Sequence, residues 1–248
     1  MWLVYGNISQ PTGPENYRGQ RYRLDYAYDD QVHTHNVSVT DSFGYVSTAR
    51  YNLKYGKVVN TTDINNQPLD YTYDKFGRVA TIIGPYQTGS GLETIRFAYH
   101  PEADDPWALT THIDVYRDQN DPIETVLFTD GLKRVLQTKK DATIHTGIET
   151  AAQAVMTVSG HVSYDFIGRS IEQYYPITEA LGRQGVSIHY PQRIDNKGKT
   201  LFPPIDVRYS YGEPGAADNR ANRIITVEDQ SGMEERFYGP LGETVKSV

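Results

Sequence analysis

"YTYDKFGRVATI", residues 71–82, sets two alternating apolar runs on either side of Asp74, Gly77 and Arg78. Alternation of period two places Tyr71 and Tyr73 on one face of a strand, and "RVATI" supplies a return strand. Between them, aspartate, any residue, an apolar residue and glycine make a tight reversal. The carboxylate accepts the amides that follow it, two central residues take a type I turn, and glycine takes positive φ to re-enter the second strand as a bulge. The stretch therefore reads as a β-hairpin whose polar residues bend the backbone.

The same break recurs at "TDSFGYV" (40–46), "TDGLKRV" (129–135) and "SYDFIGRSI" (163–171), with a degenerate copy at "YGPLG" (238–242). The turn residues are Asp41 and Gly44, Asp74 and Gly77, Asp130, Asp165 and Gly168, and Gly242. The aspartates stand 33, 56 and 35 residues apart. That spacing is irregular for a solenoid but reasonable for hairpins joined by variable loops. Lys133 takes the glycine position of its copy, which implies either a strained turn of about 1 kcal/mol or a different turn. The third-position residues Phe43, Phe76, Leu132 and Ile167 are expected to fold back over their hairpins. Arg78, Arg134 and Arg169 follow the turns, and their expected roles are structural: pairing with nearby Asp or Glu, or stacking on Tyr between hairpins.

The strands entering the turns repeat a pattern: "LDYAY" (24–28), "LDYTY" (69–73), "IRFAY" (95–99) and "VRYSY" (207–211) each put apolar and aromatic residues on one face. The 248 residues include 20 Tyr, 7 Phe and 2 Trp, and Gly, Pro, Asn and Asp interrupt nearly every run. Tyrosine favours strands and suits a surface with a dry body and a wet tip. The fold class predicted is all-β: consecutive antiparallel hairpins in a curved, twisted sheet.

A formal charge of −7 opposes a nucleic-acid surface, and "KK" (139–140) and "KGK" (197–199) are too short to reverse that. The absence of cysteine removes disulfides and thiolate metal sites. No apolar run is long enough to span a bilayer, and the start "MWLVYGNISQ" lacks the basic and apolar regions of a signal peptide. Either export is unconventional or the chain is cut from something longer.

The unit Tyr-Asp-x-apolar-Gly-Arg-apolar resembles the YD repeat of the Rhs family, which includes bacterial polymorphic toxins, the shell of insecticidal Tc toxin complexes and animal teneurins. Residues 58–79 are similar to that family's strand, Asp-x-Asn turn, strand and YD turn, and 222–245 repeat the order in decayed form. Residues 129–142 with 158–176 resemble the YD segment of Tc-toxin B-type proteins. The resemblance covers roughly 37–83, 123–176 and 205–248. It implies a β-strip wound into a hollow shell that holds a toxin, or in teneurins serves adhesion, of which 248 residues would be a segment or a small relative. The family's aspartyl self-cleavage signature has no match here: "DDPWAL" (104–109) departs from it, so no proteolytic activity carries over.

Other constellations are weaker. His33 and His35 lie in an apparent strand, "VHTHNVSV", on one face with Val37 and Val39, but no third metal ligand is evident. "YRDQNDP" (116–122) lacks the Gly and terminal Glu of a calcium loop. Asp104 with Asp105, and Glu234 with Glu235, are adjacent and so point to opposite strand faces, unsuited to paired acid chemistry. "GIETAAQAV" (147–155) is read as a short helix inserted between hairpins. The layout expected is a YD-repeat sheet over 1–175, a long loop or boundary over 176–206, and further hairpins over 207–248.

The function expected is a non-enzymatic scaffold in a shell that encapsulates or delivers a toxin. No catalytic, cofactor-binding or metal-ligating residue is assigned. Its partners would be other repeats of the shell, sister subunits and toxin cargo, and its place secreted or on the cell surface. The alternative is an extracellular adhesion or glycan-binding module, with Trp107, Tyr99 and Tyr116 as the sugar contacts and carbohydrate as the partner.

Overall fold

The computed structural model describes residues 6–145, 147, 151–188, 193–194, 200–201, 205–229 and 231–248. Among the described residues the chain forms twenty-one strands and no helix. It divides into two compact units, residues 1–98 with 110–122 and residues 99–109 with 123–248.

In the first unit the strands are β1 (Thr12–Glu15), β2 (Arg21–Tyr28), β3 (Asn36–Asp41), β4 (Val46–Asn52), β5 (Lys57–Thr62), β6 (Pro68–Tyr73) and β7 (Val79–Ile83). Each pairs antiparallel with the next in chain order. The first residues of β8 (Ile95–His100) add to β7 opposite Thr81 and Ile82. Apolar residues of β3, β5, β6 and β7 are half-buried rather than buried, the signature of one sheet layer. His33 and His35 are not in a strand. The chain bends there, with His33 at positive φ, because the Asp29 carboxylate gathers the amides of Gln31, Val32, His33, Thr34 and His35. Those amides outweigh burial and hold the Asp29 carboxyl far below the ordinary range.

β9 (Trp107–His112) leads to β10 (Ile123–Thr129), β11 (Val135–Ile144), β12 (Gln153–Val158), β13 (Val162–Tyr164), β14 (Ser170–Tyr174), β15 (Ile177–Glu179), β16 (Arg193–Ile194) and β17 (Thr200–Leu201). The last four are β18 (Ile205–Tyr211), β19 (Ile224–Asp229), β20 (Gly232–Tyr238) and β21 (Thr244–Ser247). In the second unit β10, β11, β12 and β15 form one antiparallel ladder. Strands β13, β14, β18, β19, β20 and β21 form another, and β16 pairs with β17.

The short helix predicted over 147–155 is corrected at its described end, since Gln153 opens strand β12; residues 148–150 lie outside the described residues. Helix propensity is a weak prior. Here β12 is paired on both sides, by β11 and β15, and buries Val155, Met156 and Val158.

Val126, Phe128 and Met156 form the fully buried apolar cluster, packed against Trp107, Leu109 and Leu136. Residues 180–188, part of the expected long loop, cross this face as a strap. Lys139 is wholly buried beneath it. Its ammonium donates to Arg183 O at 2.9 Å, to Val186 O and to the Glu179 carboxylate. Gln137, 1% exposed, accepts from the Ile188 amide at 2.9 Å and donates back to the Ile188 carbonyl at 3.3 Å. An ammonium has three donors and no acceptor, so all of its hydrogen-bonding capacity is met inside the protein.

Candidate functional site

The recurring turns are the feature a shell function would use, and they share one geometry. In the copies headed by Asp41, Asp74, Asp130 and Asp165, Oδ1 accepts the amides two and four residues on at 2.8 to 3.1 Å. The fourth-position amide closes the turn onto the aspartate carbonyl at 3.0 to 3.1 Å. That fourth residue sits at positive φ: Gly44 at 85°, Gly77 at 77°, Gly168 at 93° and Lys133 at 63°. Lys133 therefore occupies the same turn, strained, rather than a different one. Lys133→Gly is expected to stabilise the protein by about 0.5–1 kcal/mol, read as a higher urea midpoint with unchanged slope.

The same turn also stands where the pattern of aspartate with glycine three residues on does not reach. Asn16 accepts the amides of Arg18 and Gln20 at 2.8 and 3.0 Å, with Gly19 at positive φ. Asp63 accepts those of Asn65 and Gln67, both at 2.8 Å, with Asn66 at positive φ. The shared signal is a side-chain oxygen on Asp or Asn followed three residues later by Gly or Asn, the residues most tolerant of that backbone. In the degenerate copy Gly239 replaces the aspartate, and Gly242 closes onto the Gly239 carbonyl at 3.0 Å. A Cβ on Gly239 would collide with Glu243 Oε1, so the carboxylate returns to its place from four residues downstream.

All three arginines pair with an aspartate, and Arg134 and Arg169 also stack on a tyrosine, whereas Arg78 lies 5.0 Å over Phe76 of its own turn. Nε of Arg78, Arg134 and Arg169 pairs with Oδ2 of its own turn aspartate at 2.6, 2.5 and 2.7 Å. Arg134 also lies 4.7 Å over the Tyr164 ring, and Arg169 lies 4.2 Å over Tyr211. Each such stack contributes about 0.5–1 kcal/mol. The tyrosine completes the arrangement. Tyr164 donates its hydroxyl to Val135 O at 3.0 Å and Tyr211 to Ser170 O at 3.0 Å, in each case the carbonyl one residue beyond the stacked arginine. Tyr238, stacked under Arg223, donates to Ile224 O at 2.6 Å. Tyr73 to Val58 O and Tyr28 to Ile8 O are two further bonds of the kind. Burial, aided by the neighbouring Tyr71, pushes the Tyr73 phenol up and keeps it a donor.

Tyr164, Tyr211 and Tyr238 are therefore clips: the ring supports an arginine and the hydroxyl satisfies a carbonyl near the start of an earlier strand. Separations of 14 to 41 residues produce the same local contact, which explains why irregular spacing is tolerated.

Burial raises the carboxyls of Asp74, Asp130 and Asp165. The arginine amide, guanidinium charge and second turn amide overcome it, so all three lie below the ordinary aspartate value of 3.8. At Asp63 the Gln67 amide is the largest influence and also lowers it. Because the folded values are depressed, the stabilisation is present above about 3.8 and is lost as pH falls through the folded values. The thermal midpoint should drop steeply below that pH. Asp74→Asn with Asp165→Asn should flatten the drop, since Asn keeps the turn's acceptor, as at Asn16, but does not titrate.

The third-position residues do not fold back: they are exposed, from 55% at Ile167 to 77% at Phe43. The type I turn directs them outward at the hairpin tip. Of the proposed sugar contacts, Trp107 has its ring engaged, stacked on His100 at 3.8 Å and covered by Gly185, whose Cβ would stand 2.8 Å from Cζ2. Tyr99 and Trp107 belong to one unit and Tyr116, 97% exposed, to the other. Among the described residues no group of three or more His, Asp or Glu converges as a metal site. A hollow of about 580 Å³ over β3 to β6 has a single carboxylate in its lining, Asp63, which is committed to its own turn.

With that geometry in view, comparison with solved structures is decisive for the fold. The crystal structure of TcdB2-TccC3 superposes with a TM-score of 0.61 at 18% identity, covering 88% of this chain and 12% of that one. The chain has the fold of a TcdB2-TccC3 segment. TcdB2-TccC3 without its hypervariable C-terminal region matches at a TM-score of 0.60 and 15% identity, over 88% of this chain and 14% of that one. The likeness therefore lies outside the hypervariable region. The Photorhabdus luminescens Tc holotoxin pore matches at 0.52 and 14% identity, covering 91% of this chain and 18% of that one. The chain thus spans less than a fifth of the length of these proteins. No protein-family model and no curated protein matches it.

Proposed function

We propose that this chain is a non-catalytic segment of a YD-repeat shell that encloses a toxin domain and serves its delivery. The observation that carries the reading is the repeated clip of aspartate turn, arginine and tyrosine on a fold shared with TcdB2-TccC3 over most of the chain. Such a clip is suited to containment. It joins one hairpin to an earlier one by local contacts, so a strip of any length can be built without a thick core, leaving one sheet face to a lumen. The turn residues Asp41, Asp74, Asp130 and Asp165, with Gly44, Gly77, Gly168, Gly242, Arg78, Arg134 and Arg169, are structural in this reading, and no residue is given a catalytic role. The partners are further repeats of the same shell, sister subunits and an enclosed toxin. The protein acts outside the cell that makes it, secreted or at the surface. For the glycan-binding alternative, the engaged ring of Trp107 removes its best platform.

The test is electron microscopy and limited proteolysis of the protein encoded by the complete reading frame that contains this sequence. A hollow particle with one protease-protected segment is the expected result. A solid or extended particle whose every segment is digested at the same rate as its surface loops would overturn the reading.

A further inference from the structure

The strap over the second unit is held in an unusual manner for a loop. Residues 181, 182, 183, 185 and 186 are exposed, so little apolar side-chain burial holds it down. Its attachments are to the main chain. Lys139 Nζ takes the carbonyls of Arg183 and Val186, and Gln137 takes both the N–H and the C=O of Ile188. A side-chain amide that pairs with both peptide groups of one residue reads a backbone, whatever side chain that residue carries. Only a few side chains are read. The Glu179 carboxylate pairs with Lys139, the Gln184 amide donates to Glu124 Oε2 at 2.5 Å, and the Ser187 hydroxyl donates to Asp105. Position 185 admits nothing beyond glycine, because Trp107 Cζ2 and Cε2 would stand 2.8 and 3.1 Å from a Cβ.

We infer that the face formed by Trp107, Glu124, Phe128, Gln137 and Lys139 is a peptide-binding groove, occupied in cis by residues 179–188. It would accept in trans a turning polypeptide segment with an acidic residue six positions before a glycine. Two features define the partner. A buried ammonium demands a carboxylate and two carbonyls, which only a chain turning past it supplies. A tryptophan edge under the seventh residue excludes side chains there. The inference stands whether or not the chain belongs to a shell, since it rests on contacts within the second unit alone.

The experiment replaces residues 179–188 by a ten-residue Gly-Ser linker in the full chain, which vacates the place of Glu179 on Lys139. A fluorescent peptide of residues 177–188 is then titrated in by anisotropy. Saturable binding is expected. Lys139→Met in the protein, or Gly185→Ala in the peptide, should each weaken it at least about tenfold, whereas alanine at the exposed Leu181 and Arg183 should change it less than about threefold. Absence of saturable binding, or binding indifferent to Lys139 and Gly185, overturns the inference. Should circular dichroism show that the linker variant has lost its sheet, a chain with protease sites flanking residues 179–188 is cut after folding, so that the strap can exchange, and incubated with the same peptide carrying a photoreactive group at Val186. A cross-link within residues 124–139, absent with Lys139→Met, supports the groove, and no cross-link overturns it.

Discussion

Lys139→Met is expected to lower the free energy of unfolding by about 3–5 kcal/mol, the largest loss expected from a single side chain in this protein. The lysine is wholly buried, and its three donors are spent on Glu179, Arg183 O and Val186 O. Its ammonium also lies 5.6 Å over the Phe128 ring. Removing it leaves a carboxylate whose side chain is 7% exposed without its counter-charge, and two carbonyls without their donor. Pairing Lys139→Met with Glu179→Leu should recover part of the loss, because the uncompensated charge is gone, but not all, because the carbonyls still lack a donor. Urea denaturation of the three variants measures this. A loss under about 1 kcal/mol for the single variant would mean that the strap is peripheral to stability.

Gly160→Ala is expected to cost about 3 kcal/mol or more, from two causes that a second glycine separates. Gly160 has φ of 84°, and a Cβ there would overlap the Tyr174 carbonyl oxygen and stand 2.8 Å from its carbon. That carbonyl belongs to strand β14 of the same ladder as β13, so neither side is free to move aside. Gly89 has φ of 77° but no neighbour within 4 Å, so Gly89→Ala carries the backbone strain alone, about 1 kcal/mol. Thermal unfolding of the two variants should therefore differ severalfold in the shift of midpoint. Equal shifts would mean that the approach of Tyr174 relaxes at little cost. Gly77, also open around its Cβ site, should behave like Gly89.

The difference between what was legible and what was not follows the range of the interactions. The turns at Asp74 and Asp165 lie within five residues, so their carboxylates, glycines and arginine partners are written in consecutive letters. Asn16 escaped the aspartate pattern although asparagine offers the same oxygen to the same amides. His33 and His35 alternate as strand residues would, yet Asp29 draws five successive amides toward itself and bends that stretch. The pattern of side chains there was outweighed by one carboxylate accepting hydrogen bonds from the backbone. At Gln153–Val158 a helix-like composition yielded to pairing on two sides, which depends on where β11 and β15 arrive.

From its letters alone this protein is an all-β chain of antiparallel hairpins whose recurring Asp, Gly and Arg make turns, because turn chemistry and strand alternation act between near neighbours. Only the tertiary structure decided the tyrosine clips, whose partners lie 14 to 41 residues away, and the seating of the strap on Lys139 and Gln137, 40 to 51 residues distant. A lysine and a glutamine facing a core look like errors of pattern until the carbonyls, amide and carboxylate that satisfy them are brought across by a distant loop. Burial of a charge is set by what surrounds it in space, and sequence order does not carry that information.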